Sequence, residues 1–264
     1  MKNLSSCRRI VIKIGSSTLT HQSGHLNLRR IETLVKIASD FKNEGKQVIL
    51  VSSGAVSAGL ARLGLEHRPR TPEEKQAVAA VGQSDLMAMY ERFFSVFGHT
   101  VGQILMTRDV IDNPIRRAAI ENTFESLLSL GCVPIVNEND SVSIEELKFG
   151  GNDTLSAYVA LICRADLLIN LSDVDGLYDA DPRKHPEAKR LPVVHTIDAQ
   201  ILAAAGGAGT ERGTGGMATK LRAAQIVTEA GIPMYILNGA DPTILYHLMD
   251  GEEVGTYFMA RNIT

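Results

Sequence analysis

"RIVIKIGSS", Arg9 to Ser17, is an apolar run of six residues with one lysine inside it, followed by a glycine and two serines. The pattern recurs as "QVILV" (47–51), "VGQILM" (101–106), "CVPIV" (132–136), "DLLINL" (166–171) and "IPMYIL" (232–237). Helix-period segments cover 28–44, 54–64, 73–97, 114–130, 153–164, 196–205, 216–230 and 241–249. Short β-rich runs separated by longer helices predict an α/β fold: a three-layer α/β/α sandwich around a mainly parallel central sheet. A final "GTYF" (255–258) reads as an added edge strand. No fixed-period repeat, low-complexity segment or Pro/Ser-rich linker divides the 264 residues, so a single domain over 1–264 is expected.

Composition narrows the function. A net charge of −3 lacks the basic footprint of nucleic-acid binding, and a chain without tryptophan has few stacking platforms. The three cysteines, Cys7, Cys132 and Cys163, form no CxxC pair, which argues against a disulfide framework and a zinc site. No signal-peptide run and no 18-residue apolar stretch occurs, so no membrane association is expected and a cytoplasmic enzyme is the default. His21 and His25 flank Gly24 with no third ligand near; they read as a turn, and no metal ligands are assigned.

In open α/β sheets the chemistry gathers at the carboxyl ends of strands, where loops meet helix N-termini. "KIGSS" (13–17) combines the Lys13 charge with backbone N–H groups around Gly15 and Ser16, a phosphate-binding combination; a lysine snorkelling from a strand edge is the plainer reading. "VSSGAVSAG" (51–59) puts Ser53, Gly54 and Ala55 at a helix start, suited to a carboxylate or phosphate unless Ser53 is an ordinary cap. "NENDSVS" (137–143) is dense in amides and carboxylates, with Asn137 and Asp140 able to face an ammonium group or to form a plain turn. Asn152 and Asp153 read as caps of the helix after "KFGG", although a cap leaves the two glycines unexplained. "LSDVDGLYDADPR" (171–183) fails the calcium-loop template, because glycine falls at the fourth position from Asp173 and Lys184 at the twelfth.

"GTERGTGGMATK" (209–220) is not a Walker loop. Gly213, Gly215 and Ala218 satisfy G-x-G-x-x-A, but no strand precedes them and no acidic residue follows at the required distance. What remains is a glycine arch able to approach a polyphosphate closely, with Lys220 about one turn into the next helix.

Together and in this order, these six segments resemble the amino acid kinase family, from Lys13 to about Phe258, and "NEND" with "DGLYDADPR" points to its glutamate-phosphorylating members. Two departures stand out: Gly151, where relatives often carry an acid, and Ser172, where they carry threonine. The resemblance implies ATP-dependent phosphorylation of the side-chain carboxylate of L-glutamate, the entry to proline. It implies Lys13, Gly15, Ser16, Ser172, Asp173 and the span Thr214, Gly215, Gly216, Met217, Ala218, Thr219 and Lys220 at ATP. It implies Ser53, Gly54, Ala55, Asn137, Asp140 and Asn152 at glutamate, and Asp153 organising the two catalytic lysines. Mg²⁺, feedback inhibition by proline, a homo-oligomer (dimer or tetramer) and a glutamyl phosphate reductase partner are implied likewise. Many relatives continue into a C-terminal RNA-modification-type domain, which is not expected here.

The chemistry agrees with the residues. A glutamate carboxylate has a pKa of about 4.3, so it is already a nucleophile at neutral pH and needs no base. N-acetylglutamate, aspartate, carbamate or a nucleoside monophosphate as acceptor stays open, as does nucleotide binding without turnover. Asp140 favours an acceptor with a free amine.

Overall fold

All six apolar runs form strands. The computed structural model describes residues 4–21, 23–144, 148–204 and 216–261. In chain order its elements are β1 (Arg9–Ile14), α1 (Ser16–Leu19), α2 (Leu28–Asn43), β2 (Gln47–Ser52), α3 (Ala55–Leu63), α4 (Pro72–Val96), β3 (Val101–Met106), α5 (Asp109–Asp112), α6 (Pro114–Ser129) and β4 (Val133–Glu138). There follow α7 (Asn152–Ile162), β5 (Leu167–Ser172), β6 (Val193–Val194), α8 (Ala199–Ala204), α9 (Met217–Glu229), β7 (Met234–Asn238), α10 (Ile244–Met249) and β8 (Thr256–Phe258).

The strands form one sheet in the order β3-β4-β2-β1-β5-β7-β8-β6. Every pairing is parallel except β7 with β8. The "GTYF" segment forms β8 but does not lie at the edge. Two-residue β6 pairs outside it, and so short a strand leaves no periodic trace in the sequence.

Alternation along each strand splits the core in two. Ile10, Ile12 and Ile14 of β1 pack with Leu34, Phe41, Leu86, Tyr90 and Leu245 from α2, α4 and α10. Val11, Val51 and Leu168 pack on the opposite face with Phe124, Leu155, Leu221 and Val227 from α6, α7 and α9. Each such buried side chain contributes about 1.5–3 kcal/mol relative to exposure. Helices therefore cover both faces, giving the expected three layers.

On one face α3 lies hard against α4. A Cβ on Gly59 would come within 1.9 Å of the Val78 carbonyl oxygen, and one on Gly82 within 1.8 Å of that of Ala55. Gly59 in "VSSGAVSAG" thus answers to helix packing. The start of α4 is fixed by Thr71 and Glu74, whose side chains each bond the other's backbone N–H ahead of Pro72. No helix among the described residues is long and apolar enough to cross a membrane.

Candidate active site

β4, β2, β1 and β5 are neighbours and parallel, so the turns that follow them share one rim of the sheet. On this rim two groups of side chains meet, one ionic and one of neutral amides and a hydroxyl.

The ionic group follows from strand parity. With Ile12 and Ile14 committed to the α2/α4 face, Lys13 projects beneath α7 and α9. Its Nζ lies 2.6 Å from Asp153 Oδ1, and Lys220 Nζ lies 3.3 Å from Asp153 Oδ2. The side chains of Lys13, Asp153 and Lys220 are only 7%, 2% and 5% exposed, so these are buried ions. Thr219 Oγ1 donates to Asp153 Oδ2 at 2.8 Å, and Asn170 Nδ2 donates to Oδ1 at 3.0 Å. Asn170 stands opposite Lys13 in the β1–β5 register, on the same face.

Burial alone would raise the Asp153 carboxyl. Lys13, then Lys220, then the hydrogen bonds from Lys13 and Asn170 outweigh it and hold the group well below the usual carboxylate range. Burial lowers the Lys13 ammonium; Asp153 opposes that, and repulsion from Lys220 adds to it.

The second group starts from a donor whose role is unambiguous. The Glu138 backbone N–H donates to Asn137 Oδ1 at 2.9 Å, which identifies that atom as the oxygen. Asn152 Nδ2 donates to the same oxygen at 3.0 Å and to Ser53 Oγ at 2.9 Å. Asn137 Nδ2 in turn donates to Gln83 Oε1 of α4 at 2.9 Å.

Asn152 and Asp153 are the first two residues of α7 and do not cap it. The cap position is Gly151, whose side chain could make no cap bond in any case. Gly150 and Gly151 have φ of +81° and +115°, a region L side chains rarely adopt, which explains both glycines. The turn they make delivers two successive side chains to two different groups. An acid at position 151 would be strained there.

The other expected residues spread along this rim. The Gly15 N–H donates to the Leu171 carbonyl at 3.1 Å, so that donor is engaged in the sheet rather than open to an anion. A Cβ at Gly15 would lie 3.6 Å from Lys13 Nζ. Ser16 opens α1. Ser53 does not cap α3; Gly54 holds that position with φ +106°, and Ala55 is the first helical residue. Ser172 Oγ donates to Asp173 Oδ1 at 3.0 Å at the end of β5.

Gly216 is the N-cap of α9; Met217, Ala218, Thr219 and Lys220 form its first turn. Thr214 and Gly215, with the rest of the glycine arch up to them, lie outside the described residues. Asp140 sits in the turn after β4, 4.0 Å from Lys75 Nζ of α4, and no hydrogen bond among those described joins it to either group. Burial raises its carboxyl, with Lys75 and Lys148 opposing.

Sequence reasoning missed Asn170, Gln83 and the individual role of Glu138. Asn170 carried a signal equal to that of Lys13, a polar residue inside an apolar strand. Gln83 carried none, because glutamines are ordinary on helix surfaces.

The amino acid kinase family model matches residues 8–238. The chain belongs to the amino acid kinase family. Glutamate 5-kinase of Clostridium perfringens (strain 13 / Type A) is 51% identical over 264 residues, covering 98% of each chain. Glutamate 5-kinase of Symbiobacterium thermophilum is 54% identical over 257 residues, 97% of this chain and 98% of that one. Among solved structures, UMP kinase from Bacillus anthracis superposes with a TM-score of 0.64 at 17% identity, covering 96% of each chain. An isopentenyl phosphate kinase gives 0.66 at 18% identity, over 96% of this chain and 100% of that one. At such identities these two establish likeness of fold alone. As an amino acid kinase, the chain uses ATP.

Proposed function

We propose that this chain transfers the γ-phosphoryl group of ATP to the side-chain carboxylate of L-glutamate, forming L-glutamyl 5-phosphate and ADP. The observation that carries the reading is the convergence of Lys13 and Lys220, from distant parts of the chain, on the single buried carboxylate of Asp153. Full-length relatives that bear the glutamate 5-kinase name support the acceptor. A carboxylate oxygen forms the new bond to phosphorus, the bond from phosphorus to the β–γ bridging oxygen breaks, and no proton moves.

The obstacle is charge. Two unit charges at ~4 Å interact by about 4 kcal/mol at an effective dielectric of 20, so anion meeting anion must be offset. Lys13 and Lys220 bring two ammonium groups against one carboxylate, a surplus of positive charge that suits a triphosphate. Asp153, with Thr219 and Asn170, keeps both ammonium groups aimed at one place.

Gly15, Ser16, Ser172, Asp173 and the start of α9 complete the nucleotide side. On the acceptor side Ser53, Gly54, Ala55, Asn137 and Asn152 take the amino acid, with its α-carboxylate at the start of α3. Asp140 takes the ammonium group, and Lys75 beside it is a cation of the same class.

Mg²⁺ would supply further neutralisation of phosphate charge. Among the described residues no three His, Cys, Asp or Glu side chains gather, so phosphate oxygens and water would be its main ligands. The same reading carries a single catalytic domain in the cytoplasm, proline as feedback inhibitor, a homo-oligomer, and delivery of the labile acyl phosphate to a glutamyl phosphate reductase.

The test is a panel of acceptors with Mg-ATP, reading ADP release and trapping acyl phosphate with hydroxylamine. Glutamate-dependent hydroxamate is expected. Turnover confined to a different acceptor overturns the proposal.

A further inference from the structure

The amide chain on the acceptor side has a direction, and that direction is set from inside the protein. Asn137 is 4% exposed and Gln83 8%, whereas Ser53 and Asn152 are half-buried, so the chain runs outward to the rim. The Glu138 N–H fixes Asn137 Oδ1, which leaves Asn137 Nδ2 to face Gln83; the Gln83 atom there must then be the acceptor Oε1. Asn152 uses both Nδ2 hydrogens, on Asn137 and Ser53. Its Oδ1 is left as an acceptor, and the Ser53 hydroxyl, already accepting, keeps its own hydrogen to donate.

The orientation carries a cost within the protein. Gln83 Nε2 is fully buried and has no hydrogen-bond partner among the described residues. An unsatisfied buried donor opposes folding. Flipping the Gln83 amide would turn that N–H₂ toward the N–H₂ of Asn137, so the observed orientation is the one the chain imposes. Gln83 Nε2 is buried away from any ligand and Oε1 is taken by Asn137, so Gln83 reaches the acceptor side through Asn137.

We propose that Gln83 is a positioning residue for the acceptor: it orients Asn137 so that Asn152 Oδ1 and the Ser53 hydroxyl hydrogen face the amino acid. This rests on the acceptor site proposed above. A carboxylate needs donors and an ammonium group needs acceptors, so one amide oxygen beside one hydroxyl donor suits a zwitterion. A rotated Asn137 would release Asn152, and its amide could then turn N–H toward the ammonium group.

The experiment compares wild type, Gln83→Leu, Gln83→Met, Asn137→Ala and the double variant Q83L/N137A. Kinetics use whichever acceptor the wild type turns over in the panel, so the choice of glutamate is judged separately by the wild type alone. Q83L is expected to raise the acceptor KM roughly tenfold, the size of one lost hydrogen bond to a charged partner, while kcat and the ATP KM stay within about twofold. Its thermal midpoint should stay near wild type, because one unsatisfied buried donor, Gln83 Nε2, is exchanged for another, Asn137 Nδ2; Q83M provides the same readout should Q83L fold poorly.

In the Asn137→Ala background the Gln83 substitution should add nothing, since its effect passes through Asn137. An unchanged acceptor KM overturns the proposal. So does a parallel rise in both KM values with a lower midpoint, or additive losses in the double variant.

Discussion

The two halves of the site are built on opposite electrostatic plans, although successive residues of α7 anchor them. Asp153 belongs to a group of full charges on the α7/α9 face of the sheet. Asn152 belongs to a chain of neutral groups reaching toward α3 and α4. Charges attract a polyanion with little regard to its orientation and falter without a counter-ion. Neutral amides supply little attraction but present donors and acceptors in fixed directions, which suits telling one amino acid from another. Loss of a charged member should therefore damage stability and rate, and loss of a neutral or rim member should damage acceptor affinity.

The largest effect is expected from Asp153→Asn. Two buried ammonium groups would face each other without a carboxylate, a defect of about 3–5 kcal/mol, read as a lower urea midpoint at neutral pH. The Asp153 pKa is depressed in the folded state, so its stabilisation is complete above the unfolded value of about 3.9 and is lost as pH falls through the folded one. The variant should lack that slope on acidification. Asp153 also opposes the lowering of Lys13, so the alkaline limb of the rate profile should move to lower pH. Wild-type stability in D153N would remove the ion cluster from this account.

Next in size is Lys220→Ala, with kcat down about 10²–10³-fold and the glutamate KM near wild type. A variant that keeps full rate would show that this lysine does not meet the transferred group.

How much of this was legible depended on which half a residue belongs to. Lys13 announced itself, because a lysine between isoleucines in a strand is costly unless it meets a counter-charge. The sheet, its helices and the shared rim followed from periodicity. Residues that work across space stayed hidden. Gln83 lies more than fifty positions from Asn137 and sits in a helix where polar residues are normal. Asn152 and Asp153 were misread as caps because Asn and Asp favour helix starts in general, and the cap alternative for Ser53 falls likewise; Gly54 and Gly151 hold those positions through positive φ and release the side chains beside them.

A smaller effect is expected from Asp140→Asn, which tests whether the neutral half borrows a charge for the substrate's ammonium group. The glutamate KM should rise about tenfold with ATP affinity unchanged. Since burial raises this carboxyl, its hold on an ammonium group should be complete above the raised value and fade as pH falls through it, sooner on acidification than for an ordinary aspartate. Equal losses toward both substrates would contradict the assignment.

The smallest effect has the opposite sign. Glu138 accepts from the Phe149 N–H at 3.0 Å and from Ser143 Oγ at 3.3 Å, and burial raises its carboxyl despite them. A raised folded pKa favours the folded state at low pH and costs stability once the pH has risen through it. Glu138→Gln can keep both hydrogen bonds through its own Oε1 and removes the charge. It should gain a few tenths of a kcal/mol at neutral pH, with the gain shrinking as the pH falls toward the unfolded value. Both Glu138 and Asp153 are carboxylates on one rim, yet substitution by the amide should strengthen the protein at one and weaken it at the other. A loss of stability at both would mean that Glu138 also answers a buried cation, and the division between an ionic half and a neutral half would fail.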